Sequence, residues 1–145
     1  MSIYNNFDII IIGSGVSGLI LANEIIERTN KRILLLEKRK KIPYDKNICF
    51  WNLPNNILSN SADSKWNRIS VNIDGEKFQF EEEGILYQRL KSKTIFDFFI
   101  KKLEKKKKFR FLMGQKIKSI KSRDKEIYVN SGNEIFKSTL LFDSR

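Results

Sequence analysis

Residues Phe7 to Gly18 read FDIIIIGSGVSG, and no other stretch constrains the fold as tightly. Phe7 to Ile12 is a continuous, β-branched apolar run, the pattern of a parallel strand buried on both faces. Glycines at 13, 15 and 18 come directly after it. VSGLILANEIIER then places Leu19, Ala22, Ile25 and Ile26 at helical spacing. Arg32 to Leu36, RILLL, is a second short apolar strand, closed by Glu37. The unit over 7–37 is a βαβ of about the thirty residues that such a unit needs.

A lone GxGxxG is weak evidence, but here a strand precedes it, a helix succeeds it, and an acid ends the next strand. Gly13 lets the chain turn sharply, Gly15 leaves room for a pyrophosphate, and Gly18 lets the helix pack close to the strands. The backbone N–H groups of Ser14, Val16 and Ser17 are expected around the phosphates at the helix start. Glu37 lies 24 residues after Gly13, near the offset of a ribose-binding acid. A carboxylate there accepts from both ribose hydroxyls and repels a 2′-phosphate. The competing explanation is a glycine-rich turn of some other α/β protein. The motif alone leaves NAD and FAD open, but the chain after Glu37 leans to FAD. A simple NAD half would add a helix and a third strand at short intervals. Here about fifty residues containing a hairpin come before the next helix.

Those residues form a loop and hairpin insertion over 38–90. Lys38 to Ile48 is a basic loop, and 49–66 reads as irregular, broken by Asn, Ser and Pro54. RISVNIDGEKFQFEE alternates in period two about Asp74-Gly75, a hairpin with a type I′ turn. The spacing predicts a helix over 94–107, with Thr94 and Asp97 as a weak capping box. Ile95, Phe98, Phe99, Lys102 and Leu103 form its stripe. The lysines at 101, 102 and 105–108 read as a solvated helix end, favoured by the helix dipole. FRFLM, QKIKSIKS, EIYVN and EIFKS make a β-meander over 109–138, with a turn at Asn130-Ser131-Gly132-Asn133, and a return strand covers 139–143.

Composition removes several chemistries. One Cys and no His exclude an internal disulfide and a Ser-His-Asp triad, and argue against a zinc site. No apolar run reaches the roughly 18 residues of a membrane span. Lys and Arg number 28 against 17 Asp and Glu, a net charge of +11. A basic surface attracts nucleic acid or anionic lipid. The chain is also crowded with Lys, Ile and Asn, and compositional drift is the simpler account of the charge. No short nucleic-acid motif accompanies it, so no nucleic-acid partner is expected.

In order along the chain, these pieces resemble the FAD-dependent lycopene cyclase family of bacteria and plants. The opening DIIIIGSGVSGLILANEI with ILLLEKR looks like the FAD-binding start of a broader flavoprotein group that includes aromatic hydroxylases and geranylgeranyl reductases. NICFWN at 47–52 is similar to the family's TWCFW segment, although Asn47-Ile48 stands where Thr-Trp is usual. SKWNRISVNIDGEKFQF at 64–80 resembles its tryptophan-led hairpin. YQRLKSKTIFDFFIKKL at 87–103 resembles its tyrosine-led helix entry, and LLFDSR at 140–145 its strand ending in Asp-x-Arg.

The resemblance implies an α/β, Rossmann-like FAD/NAD(P)-binding fold of glutathione-reductase type, incomplete, with the hairpin inserted and the meander after it. It implies redox-neutral closure of ionone rings on the ends of lycopene, an isomerase (intramolecular lyase) reaction of carotenoid biosynthesis. That reaction needs reduced FAD, with NAD(P)H as electron source. It also implies an N-terminal portion, because the family's carboxylate-rich catalytic segment lies further along than these 145 residues. A related monooxygenase or reductase, or a nucleotide-binding piece without catalysis, are the alternatives. The expected partner is an apolar polyene, and the expected location is the cytoplasm with contact at a membrane surface.

The residues expected at the cofactor are Gly13, Ser14, Gly15, Val16, Ser17, Gly18, Glu37, Lys38, Arg89 and Ile117. Lys38 or Arg39 would lie against the adenine, or is a solvated loop charge. Arg89 stands where related flavoproteins place an arginine near the cofactor, or is a surface charge. Ile117 is expected in the strand that passes the adenine. Phe50, Trp51 and Trp66 would line a polyene channel or form core. Cys49 is expected to behave as a small buried apolar residue. Glu81-Glu82-Glu83 reads as a solvated strand end rather than a general acid. Asp143 and Arg145 approach the flavin if the last strand returns to the sheet.

Overall fold

Ile9–Ile12 and Ile33–Leu36 lie side by side, each residue buried, with Ile9 opposite Ile33 and Ile12 opposite Leu36. Such runs satisfy their backbone in a parallel ladder and need cover on both faces. In chain order the strands are β1 (Asn5–Asn6), β2 (Ile9–Ile12), β3 (Ile33–Leu36), β4 (Asn47–Trp51), β5 (Ser64–Trp66), β6 (Arg68–Ile73) and β7 (Glu76–Glu81). They continue with β8 (Tyr87–Lys91), β9 (Phe109–Leu112), β10 (Ser119–Arg123), β11 (Glu126–Asn130), β12 (Ile135–Ser138) and β13 (Leu140–Asp143). The helices are α1 (Val16–Arg28) and α2 (Ser92–Leu103). The structure, a computed structural model, describes residues 5–42, 46–52, 58–81, 83–85, 87–132 and 134–145. The chain divides into two compact units: 1–42 with 96–145, and 43–95. Among the described residues no helix is long and apolar enough to cross a membrane.

The first unit is built on a parallel sheet in the order β13-β2-β3-β9. Helix α1 crosses from β2 to β3 and packs on one face, with Leu19 and Ala22 fully buried. On the other face Ile10, Ile12, Leu34 and Leu36 join Val129 and Phe136 in one core. The latter two come from a second sheet, β1-β12-β11-β10, whose strands are antiparallel except for β1 with β12. Each fully buried Ile or Leu contributes about 1.5–3 kcal/mol, so this sandwich is the stable frame. The last strand does return to the sheet: β13 pairs in parallel with β2, Asp143 beside Ile12.

The second unit holds a three-stranded antiparallel sheet, β4-β8-β5, and the separate hairpin β6-β7. Asp74 and Gly75 have φ of +51° and +89°, as a type I′ turn requires. Four segments differ from the sequence pattern. Phe109–Leu112, expected to open the β-meander, instead pairs in parallel with β3, so the meander is β10-β11-β12 alone. Ser64–Trp66, expected to fall in irregular chain, is strand β5, paired with β8. Asn47–Trp51, expected to fall in irregular chain, is strand β4, paired with β8 from Asn47–Lys91 to Trp51–Tyr87. Helix α2 begins at Ser92, not Thr94, and ends at Leu103, so it holds Lys101 and Lys102 but stops before the lysines at 105–108. Thr94 is therefore inside the helix and caps nothing, and Ser92 stands at the start, donating its N–H to the Lys46 carbonyl at 2.8 Å. Phe98 is 44% exposed, while Ile95, Phe96, Phe99, Ile100 and Leu103 are buried. The segment around Pro54, Glu82 and Asn133 lie outside the described residues.

Candidate functional site

Where β2 ends, the chain must leave the sheet, pass the end of β13 and enter α1. Gly13 does this with φ +101°, donating its N–H to the Leu36 carbonyl at 2.8 Å. A Cβ there would stand 2.8 Å from the Ser144 carbonyl oxygen, so only glycine lets β13 finish beside the turn. Gly18 is tighter still: its Cβ would meet the Gly13 carbonyl oxygen at 2.1 Å, and Ile11 Cγ2 at 3.6 Å. The helix therefore packs first on the turn's own backbone and then on the strand. Gly15 differs, because a Cβ there would meet nothing within 4 Å. Its missing side chain keeps space open at the helix start, which no side chain caps.

Glu37 locks this turn to the end of β3. Its Oε2 accepts the Ser14 N–H at 3.0 Å and the Ser14 hydroxyl at 2.8 Å. Its Oε1 accepts the Arg39 N–H at 2.9 Å. Burial pushes the carboxyl up, but the Arg39 and Ser14 donors and the Arg39 charge outweigh it. They hold Glu37 below the usual glutamate range. The carboxylate is 5% exposed and ionised, and Oε1 retains an acceptor lone pair. The Ser14 N–H, expected at a phosphate, is given to Glu37 in this structure.

Ile12, Gly13, Gly15, Glu37, Lys38, Arg39, Gln115, Lys116, Ile117, Ser144 and Arg145 line a cleft of about 320 Å³. Lys38 and Arg39 both reach it and are both exposed. Val16 and Ser17 open α1 directly after Gly15. Ile117 also lines the cleft, half-buried, but it precedes β10 rather than lying in a strand. Its backbone is not held in a ladder, because the loop from 114 to 118 is anchored instead. Gly114 and Gln115 donate N–H groups to the carbonyls of Arg39 and Glu37 at 2.9 and 2.8 Å.

Gln115, Lys116 and Ser144 were not singled out from sequence; the polar loop after a parallel strand's C-terminal end was the available signal. Arg145 reaches the cleft too and forks Asp143 at 2.8 and 2.6 Å. Hydrogen bonding from Arg145 holds the Asp143 carboxyl below its ordinary value.

The remaining candidates belong to the second unit. Arg89, on β8, is paired with Asp63 at 3.1 Å. Cys49 is exposed on β4 rather than buried. Trp51 and Trp66 stand in register on either side of Tyr87, with ring centroids 5.0 and 6.2 Å from it. Trp51 is 52% exposed and Trp66 40%, so this aromatic row is a surface and not core. Phe50, the next residue from Trp51 on β4, has its side chain on the opposite face. Glu81 is exposed and paired with Arg68 at 2.7 Å, and Glu83 is exposed.

Open space over Gly15, an uncapped helix start and an ionised acid at the end of the second strand fit the ADP part of a dinucleotide. Fold and site together define a Rossmann-like domain of the FAD-binding type. Residues 8–145 match the family described as lycopene cyclase protein, and the chain belongs to that family. The solved structures agree on the fold. The chain is similar to a probable FAD-dependent monooxygenase, PqsL from Pseudomonas aeruginosa, at 15% identity and a TM-score of 0.70, covering 94% of this chain and 42% of that one. It is similar to p-nitrophenol 4-monooxygenase from Pseudomonas putida at 12% identity and a TM-score of 0.73, covering 96% and 41%. A 45-residue stretch is 53% identical to UDP-galactopyranose mutase of Mycoplasma genitalium, 29% of this chain and 11% of that protein. The chain thus spans about two fifths of the solved relatives' length.

Proposed function

We propose that this chain is the FAD-holding portion of a lycopene cyclase. The single observation that carries the cofactor reading is the open space over Gly15 beside the ionised Glu37. Gly13, Gly15 and Gly18 would shape the turn and Val16 and Ser17 would present amides to the pyrophosphate. Glu37 would accept a ribose hydroxyl through Oε1, with Lys38 or Arg39 against the adenine. Structures of similar fold include a monooxygenase, a halogenase and a Diels–Alderase. Family membership, not fold, therefore supports the cyclase reading.

The reaction proposed is closure of ionone rings on the ends of lycopene, with no net redox change. An acid protonates a terminal double bond, the cation is kept from water, and a base removes a proton after the ring closes. Reduced flavin, supplied by NAD(P)H, would lend the site negative charge favourable to a cation. The Trp51-Tyr87-Trp66 row is the surface in this chain best suited to an apolar polyene, since π faces attract both hydrocarbon and cationic carbon.

Two experiments test the halves of the reading separately. Fluorescence titration of the 145-residue chain with FAD tests the cleft, with saturable binding expected and its absence sinking the cofactor assignment. Incubation of the protein, with any polypeptide encoded after Arg145, with lycopene, FAD and NADPH tests the reaction. Cyclic carotene is expected. Unchanged lycopene in the presence of folded, flavin-loaded protein overturns the cyclase reading.

A further inference from the structure

Helix α2 does not present the face that its sequence pattern suggests. Phe98 is 44% exposed and stands edge-on to the buried Phe99, ring centroids 5.1 Å apart. It lines a surface depression with Glu27, Asp97, Lys101, Lys102, Lys105 and Lys106. Lys102 and Lys106 are committed to Glu27 at 3.5 and 2.9 Å, and Lys108 to Asn30. Lys101, Lys105 and Lys107 are exposed and have no ion pair among the described residues. Phe98 thus stands exposed in one depression with Lys101 and Lys105. At a bilayer both parts find a use: the lysines reach lipid phosphates, and the ring enters the headgroup boundary.

We propose that this end of α2 is a docking surface for an anionic lipid membrane, with Phe98 inserting and Lys101, Lys105 and Lys107 over the headgroups. The surface lies within one unit and its assignment is independent of the flavin and polyene readings.

The test is sedimentation of the protein with phosphatidylglycerol/phosphatidylcholine vesicles and with pure phosphatidylcholine vesicles, at low and high salt. Wild type should bind the anionic vesicles, lose binding at high salt, and ignore the neutral ones. The triple variant K101Q/K105Q/K107Q should weaken partitioning by roughly tenfold or more. Phe98→Ser should weaken it by about fivefold. A control triple, K77Q/K121Q/K125Q, removes the same charge from exposed positions elsewhere and should change binding less than about twofold. Equal loss in the control triple would mean that net charge alone binds, and overturns the proposal. So would unchanged binding by Phe98→Ser, equal binding to neutral vesicles, or displacement by duplex DNA that Phe98→Ser does not alter.

Discussion

The parallel sheet of the first unit and the β6-β7 hairpin of the second are both rich in Ile, Val, Leu and Phe, yet they end in opposite environments. Ile10, Ile11, Leu34 and Leu35 are wholly buried, while Ile73 is 56% exposed and Phe80 52%. The difference is written in the spacing. IIII and ILLL have no polar residue to turn outward, so they fit only where helix and second sheet cover both faces. RISVNI and EKFQFE alternate, so Ile69, Val71, Ile73, Phe78 and Phe80 share one face, and the Arg68–Glu81 pair marks the other. Apolar content thus says little until its period is read. The sheet carries stability, and the hairpin carries a surface.

Leu35→Ala gives the largest effect that this comparison predicts. It removes a fully buried side chain from β3 and should cost about 2–5 kcal/mol in chemical denaturation. A cost below about 1 kcal/mol would mean that the sheet is not the frame. The glycines divide the same way. Gly18→Ala forces a Cβ to within 2.1 Å of the Gly13 carbonyl and should destabilise by about 1–3 kcal/mol while abolishing FAD binding. Gly15→Ala meets open space and should change stability by less than about 0.5 kcal/mol. It should still weaken FAD by on the order of tenfold, because its methyl occupies the pyrophosphate's approach. Loss of stability with retained binding in Gly15→Ala would reverse its assignment.

Glu37 sharpens the contrast with acid. Burial opposes its charge, and its three donors more than compensate, so its folded pKa lies below the unfolded value. A depressed carboxylate stabilises the fold above the unfolded value of about 4.3. That contribution is lost as pH falls through the lower folded value. Glu37→Gln should cost about 1–2 kcal/mol at neutral pH and flatten the acid limb of stability against pH. An unchanged acid limb would assign that limb to other carboxylates.

The sequence carried the βαβ unit almost completely, because strand, glycine turn, helix and acid are local signals with fixed spacing. The hairpin was equally legible from Asp74-Gly75 between two alternating runs. The features it hid depend on distant partners. Asn47–Trp51 reads as irregular because its neighbours are breakers, and its identity as a strand comes from β8, some forty residues on. Phe98 fits a helical stripe in one dimension, but Phe96 and Ile100 are the buried ones, and spacing alone does not say which side of the stripe meets the core. In the cleft, Gly13, Gly15, Gly18 and Glu37 could be read directly. Gln115, Lys116 and Ser144 could not, because only the parallel ladder brings the ends of β9 and β13 beside the turn. The Ser14–Glu37 bonds were hidden for the same reason: a motif gives spacing, not which donor turns inward.

Phe80→Ala is the smallest predicted effect and the most direct attack on the comparison. Phe80 faces Ile69 across the hairpin and is half exposed, so little of its surface leaves water on folding. Its loss should cost less than about 1 kcal/mol, the worth of a cross-strand pair. The measurement is the denaturation midpoint beside that of Leu35→Ala, repeated over a range of protein concentrations. A cost of about 2–5 kcal/mol, equal to that of a core residue, would show that polypeptide covers this face in solution. If that cost also rose with concentration, the cover would be a second copy, since mass action makes the stability of an associated face depend on its partner. A small, concentration-independent cost leaves the face open, and the alternation in its sequence then marks a surface kept apolar for something other than folding.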